Sequence, residues 1–244
     1  MALRPSRQTK AKRTKVHNGR PVLRPELLRY NQISMVQAAE DVQSRENAGD
    51  LRAEFRELVS GCGLYRIDRA LLSLTGEDRV RWLNGMVTNN IRDLTAGKGA
   101  YAFLLNPQGK IQADLYAFNL GDRLLIETGA SQIPTVRQIF DRYIIMDDVE
   151  VEDLSEKFAV IGVAGPKSES TLNASLTASD STHSSLKPLQ FAELTWNGIQ
   201  LRLIRGDNPA VPTYEIHLQS EDAQAVWAEL LKAGAAEIHD DALG

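Results

Sequence analysis

The sequence predicts an α+β fold, an antiparallel meander sheet with helices followed by a ferredoxin-like β-α-β-β-α half. Three observations predict it. From Ala100 to Thr128 apolar and polar residues alternate between tight turns, the period of half-buried strands joined by hairpins. The segments on either side repeat apolar residues at helical spacing. After residue 150 a second series of strand, helix, strands and helix begins. A chain of 244 residues accommodates two modest subdomains. The expected division is a basic disordered tail at 1–25, a first subdomain at 26–150, and a ferredoxin-like subdomain at 151–244 that is incomplete at its C-terminus.

Charge sets the tail apart. Residues 1–24 hold eight of the 28 Lys and Arg residues and no acid, so the remaining twenty basic residues face 32 acidic ones. A basic tail can touch RNA through counterion release, but this one has no interleaved aromatics to stack bases. The reading adopted is a solvated tail, with nucleic acid an unlikely partner. A transit peptide is a weaker alternative, since no amphipathic apolar face is evident.

Ile33 to Leu58 reads as a helix finishing on Leu51, Phe55, Leu58 and Val59, stopped by Gly61 and Gly63. LYRIDRALLSLTG then supplies two short strands. Thr75 is the expected N-cap of the next helix, with Asp78 in the capping-box position and Val80, Leu83, Val87 and Ile91 on its buried face. Asn106-Pro107-Gln108-Gly109 is a turn, because proline presets the second position and glycine suits the fourth. With that turn as the corner, Leu105 pairs with Lys110, Phe103 faces Gln112 and Tyr101 faces Asp114, unless a bulge shifts the register by one. Ile111, Ala113, Leu115 and Ala117 then form a core face. Gln112, Asp114, Tyr116 and Phe118 share the other face with Tyr101 and Phe103, which puts one carboxylate among aromatic rings.

Leu120-Gly121-Asp122-Arg123 turns the chain into the strand LLIET. Ser131 is the expected cap of a helix presenting Ile133, Val136, Ile139, Phe140 and Tyr143. Acidic MDDVEVED marks the break between subdomains. Strand KFAVIGVAG, a helix from Pro166, a Ser/Thr-rich loop at 175–187, and strands FAELTW and IQLRLIR joined by Asn197-Gly198 follow. Strand TYEIHLQ and a helix capped by Ser220 and ending near Gly234 complete the series, and the closing strand barely arrives at AAEIHDDALG.

Several function classes are excluded or disfavoured. No apolar run reaches the length of a membrane span and no secretory signal core is present, so the expected location is cytoplasmic. One cysteine, Cys62, rules out an internal disulfide and a cysteine-rich metal or cluster site, and it is expected to be a small buried hydrophobe. His17, His183, His217 and His239 lack the spacing of a zinc site, so no metal site is expected.

Four segments, DRVRWLNGMVTNNI, GKGAYAFLLNPQGKIQADL, VAGP and TYEI, occur in an order and spacing that resemble the folate-binding aminomethyltransferase superfamily. That superfamily holds the T-protein of the glycine cleavage system and a YgfZ-like branch that supports iron–sulfur cluster assembly and repair. The resemblance runs from Gly63 to Gly244 and implies tetrahydrofolate, or a one-carbon derivative, as cofactor. It places Asp114 at the essential catalytic acid, Tyr101 and Asn106 at the family's Tyr and Asn beside this hairpin, Glu215 at a pterin-contacting glutamate and Asn89 at a folate-pocket position. Tyr116 joins them from the strand reading alone, as a ring on the face of Asp114. Taken singly, Asp114 also reads as a solvent-facing strand residue, Glu215 as a surface acid, and the two tyrosines as edge packing.

This chain departs from the family at Ala113, where the T-protein pattern has an acid, and in RGDNPAVPTYEI, where it has a glycine-rich stretch. The LRxExG segment, the C-terminal folate-binding arginines, the KGC[FY]xGQE signature of the iron–sulfur branch and the terminal barrel would all lie past Gly244, so truncation is expected. The function expected is that of a tetrahydrofolate-binding YgfZ-like protein assisting iron–sulfur cluster assembly or repair, with iron–sulfur proteins as partners. One alternative is the aminomethyltransferase itself, which needs a lipoyl carrier protein; another is a non-catalytic remnant or split half acting through a partner chain.

Overall fold

The computed structural model describes residues 52–176 and 185–239. The tail, most of the first expected helix and part of the Ser/Thr-rich loop lie outside them. The elements are helix α1 (52–60), β1 (Gly63–Arg66), β2 (Arg69–Thr75), α2 (Arg79–Met86), β3 (Lys98–Leu105), β4 (Ile111–Asn119), β5 (Leu124–Gly129), α3 (Ile133–Tyr143), β6 (Glu150–Asp153) and β7 (Phe158–Ala164). They continue with α4 (Ser168–Ser175), β8 (Phe191–Trp196), β9 (Ile199–Arg205), β10 (Thr213–Gln219), α5 (Ala223–Lys232) and β11 (Ala236–Glu237).

The strands form two sheets, ordered β3-β4-β5-β2-β6 and β11-β1-β7-β10-β9-β8. The α+β class holds, but the linear division at residue 150 does not describe the sheets. The acidic segment taken for a break supplies β6, which pairs with Leu72–Thr75 of β2, while β1 crosses to the second sheet and pairs with β7. Within that sheet the run β7-β10-β9 has the ferredoxin-like order. An extra strand, β8, extends its edge, and β1 lies between β7 and the closing strand β11, which pairs parallel to β1. Among the described residues no helix is long and apolar enough to cross a membrane.

Alternation along the strands makes four layers. One face of the first sheet, with Leu72, Leu74, Ala102, Leu104, Ala113, Leu115 and Ile126, packs beneath Trp82 and Leu83 of α2 and Val136 and Phe140 of α3. Its other face meets the second sheet through Leu71, Phe118 and Leu125 against Val160 and Ile204. The far face of the second sheet, including Val163, Leu203 and Ile216, is covered by Leu172 of α4 and Val226, Trp227 and Leu230 of α5. Burial of the Leu, Ile, Val and Phe side chains among these, at roughly 1.5–3 kcal/mol each, is the main driving term.

Local details depart from the sequence reading. Thr75 ends β2, and Asp78 is the N-cap of α2 but spends its carboxylate on the Asp148 N–H and the Arg81 side chain instead of capping the helix's own N–H groups. Helix α2 stops at Met86; Val87 is extended and bridges Leu104, and Ile91 is buried beyond the helix end. Ser131 and Ser220 each lie inside a short 3-10 turn ahead of α3 and α5, and the caps are Gln132 and Asp222, neither making a side-chain bond to its helix.

In the β3–β4 hairpin the observed register pairs Tyr101 with Tyr116 and Phe103 with Asp114. Two single-residue offsets produce it. The Asn106 N–H bonds to the Lys110 carbonyl, so the loop closes on three residues with Gly109 at φ +76°, and a bulge follows between Leu104 and Leu105. Because the total slide is two, every side chain keeps its expected face. The exception is Ile111, expected in the core, which sits at the hairpin tip and is 60% exposed.

Candidate functional site

Strand β4 carries Asp114 on the face that looks toward the second sheet. One carboxylate oxygen, Oδ1, accepts a hydrogen bond of 2.9 Å from Gln132 Nε2 and the other, Oδ2, one of 3.3 Å from the Tyr101 hydroxyl. Gln132 is fixed in turn, since its Oε1 lies 2.7 Å from the Thr128 hydroxyl, which lies equally close to the Asp114 carbonyl. That single hydroxyl proton serves one acceptor at a time. Asp114 is therefore a positioned carboxylate with about 29% of its side chain open, neither buried nor free in solvent.

Rings surround it as expected. Tyr101 and Tyr116 have centroids 4.9 Å apart, Phe103 meets Tyr101 edge-on at 5.3 Å, and Phe118 stacks beyond Tyr116 at 6.2 Å. Tyr101, Phe103 and Tyr116 are half-buried, while Phe118 belongs to the core between the sheets. Burial, then the Asp114 carboxylate, pushes the Tyr101 phenol up. Burial also raises Tyr116, aided by the charges of Asp207 and Glu215, and the Tyr116 hydroxyl lies 3.4 Å from Asp207 Oδ1.

Glu215 arrives from the second sheet, on β10, with His217 two residues on along the same face. His217 Nε2 lies 2.9 Å from Glu127 Oε2 on β5 and 3.8 Å from Glu215 Oε2. Glu127 and His217 are fully buried, and neither Glu127 oxygen nor either His217 nitrogen makes an aligned hydrogen bond. Charge governs this group. Burial and the Glu127 carboxylate push Glu215 up. For His217 burial alone would lower the imidazole, but the two carboxylates raise it on balance. Burial likewise opposes ionisation of Glu127, yet His217 and Arg69 hold it below its usual range.

Two expected residues are committed elsewhere. Asn106 Oδ1 accepts the Gln108 and Lys110 N–H groups, so this side chain builds the turn. Asn89 donates to the Tyr101 carbonyl and accepts the Asn90 N–H, so it fixes the backbone of β3 beneath Tyr101. Sequence reasoning missed Arg69, Glu127, Gln132, Asp207 and His217. A signal for two of them was present: Glu127 in LLIET and His217 in EIHL interrupt strands that are otherwise apolar at their centres.

Over residues 26–240 the chain matches the profile of the GCVT N-terminal domain. The chain belongs to the GCVT N-terminal domain family. Similar proteins include an aminomethyltransferase of Bacillus subtilis, 27% identical over 189 residues, covering 76% of this chain and 51% of that protein. Another from Rubrobacter xylanophilus is 26% identical over 187 residues, covering 76% and 50%. The chain thus spans about half the length of the curated relatives it matches. Among solved structures, glycine cleavage system aminomethyltransferase T from Bartonella henselae superposes with a TM-score of 0.68 at 20% identity, over 77% of this chain and 50% of that one. Heterotetrameric sarcosine oxidase from Corynebacterium sp. U-96 superposes at 0.55 and 19% identity, over 78% of this chain and 96% of the matched chain. At these identities the two structures establish the fold of the GCVT domain, with its paired sheets, and nothing about its ligand.

Proposed function

We propose that this chain is a folate-binding GCVT half of aminomethyltransferase type, taking tetrahydrofolate or a one-carbon derivative against the ring-lined face of β3 and β4 that carries Asp114. The carrying observation is the held carboxylate of Asp114, oriented by Gln132 and Tyr101 at the edge of half-buried aromatic rings. Those rings suit a flat heterocycle, which would stack on Tyr101 and Tyr116. Glu215 supports the same reading, since its carboxylate is 22% exposed beside Tyr116 and offers acceptors to the paired N–H donors of a pterin.

Reduced folate supplies the nitrogens that accept a one-carbon unit. Asp114 would lie against them, balancing positive charge as the one-carbon unit passes from the aminomethyl donor to folate and the carrier thiol and ammonia leave, and Arg69 and Gln132 would keep its oxygens from turning away. A lipoyl carrier protein is the aminomethyl donor in this reading. The names of the similar proteins favour it over iron–sulfur cluster assembly or repair, the function expected first.

Binding is tested by titrating folinic acid into the full chain and following Trp and Tyr fluorescence. Quenching that saturates, and that Asp114→Asn weakens about tenfold or more, the loss of one charge-assisted contact of roughly 1.5–3 kcal/mol, is expected. Undiminished binding by the variant removes Asp114 from the site.

A further inference from the structure

Glu127, Glu215 and His217 bring two carboxylates and an imidazole from two sheets to one point, with donor atoms all within 4.8 Å of one another. We propose that this cluster binds a first-row divalent metal ion such as zinc, through one oxygen each of Glu127 and Glu215 and through His217 Nε2. The spacing of histidines along the sequence predicts no such site, because its three members meet only when the sheets pack. The proposal goes beyond the folate reading and shares only Glu215 with it; it is tested with metal alone, so either can fail without the other.

The first argument is the state of the buried atoms. His217 Nε2 is 2.9 Å from Glu127 Oε2, yet its N–H direction misses that oxygen, and neither Glu127 oxygen finds a hydrogen bond elsewhere. A close pair without an aligned hydrogen bond has the spacing of two ligands of one ion. Leaving such groups unsatisfied costs about 1–3 kcal/mol each, and more for charged ones. An ion between them would engage a Glu127 oxygen and His217 Nε2, with the Glu215 carboxylate as third ligand.

The second argument is charge. Asp114 and Glu127 share one guanidinium, Arg69, and Glu215 joins this group through His217. With a neutral imidazole two negative charges are left over, which a divalent cation balances. Two carboxylates and one nitrogen leave an open coordination position, and mixed oxygen and imidazole donors suit zinc and its first-row neighbours. Partial exposure of Glu215 gives the ion a route in.

The competing way to balance the charge is protonation of Glu215 and His217, the direction in which their surroundings push both groups. Metal would displace those protons, so binding and protonation are distinguishable.

The full chain, freed of metal by chelation, is titrated with cobalt(II) while visible absorption is recorded, and with zinc(II) by calorimetry in two buffers of different ionisation enthalpy. Expected are one equivalent bound, d–d bands of a low-coordinate site, proton release on zinc binding and a rise in melting temperature that chelator reverses. Glu215→Gln, partly exposed and the mildest change, should abolish the stoichiometric binding while keeping the circular dichroism of the parent; His217→Gln should do the same. Binding that survives in both variants places the metal elsewhere. Absence of binding by the parent at neutral pH means that the cluster is neutralised by protons, and either result overturns the proposal.

Discussion

The Arg69 guanidinium lies 3.7 Å from Asp114 through Nη1 and 3.5 Å from Glu127 through Nε, and its Cζ is 5.4 Å from the Tyr116 ring centre. One side chain at the start of β2 therefore links the ring-lined acid of the hairpin to the buried acid of β5. Neither contact is short enough for a tight hydrogen bond, so the link is one of charge. Its value lies mainly in Glu127, which has no access to solvent.

Replacing Arg69 by Met leaves Glu127, among the described residues, with His217 alone as a cationic partner. Removing one member of a fully buried pair costs roughly 3–5 kcal/mol, and the long contacts and partial exposure of Arg69 reduce this to about 2 kcal/mol. The urea midpoint should fall accordingly, and Glu127→Gln added to Arg69→Met should recover part of the loss. A double variant less stable than Arg69→Met would show that the charge link is not the cause.

Gly162 of β7 lies beneath the Tyr65 ring, where a Cβ would enter the ring itself. Gly162→Ala should destabilise the protein by about 1–3 kcal/mol, the usual cost of overpacking. Pairing it with Tyr65→Leu makes room and should give back part of that cost. Additive losses in a double-mutant cycle would contradict the steric explanation.

Asp78 ties the start of α2 to the segment before β6. The Asp148 backbone N–H, followed by Arg81, holds its carboxyl below the usual carboxylate value. A depressed folded value means that the contribution is present above the unfolded value of about 4 and is lost as pH falls through the folded one. Stability of the parent should thus drop more steeply in acid than that of Asp78→Asn, and carboxyl carbon shifts should follow Asp78 to a midpoint below that of a free aspartate. Parallel stability curves for the two proteins would count against the assignment.

Much of the local structure was legible because it depends on neighbours in sequence. Strand alternation from Ala100 to Phe118, the Asn106–Gly109 and Asn197-Gly198 turns and the stop at Gly234 all follow from side-chain period and backbone preference. The face shared by Asp114, Tyr101 and Tyr116 survived an error in register because strand parity is preserved by a slide of two. Helix caps were less legible: Thr75, Ser131 and Ser220 have the right chemistry, but 3-10 turns and tertiary acceptors such as the Glu156 carbonyl, bonded by the Ser220 hydroxyl, took precedence.

By itself the sequence determined the α+β class, the hairpin that presents Asp114 and the membership in a family whose order of segments it carries. Only the tertiary structure decided that β1 and β6 exchange places across the expected boundary. It alone placed Arg69 between two acids and brought Glu127 to His217. Hydrogen bonds between strands and charges between sheets act across distances in space that linear spacing does not encode, so residues far apart in sequence become partners only when both sheets are packed.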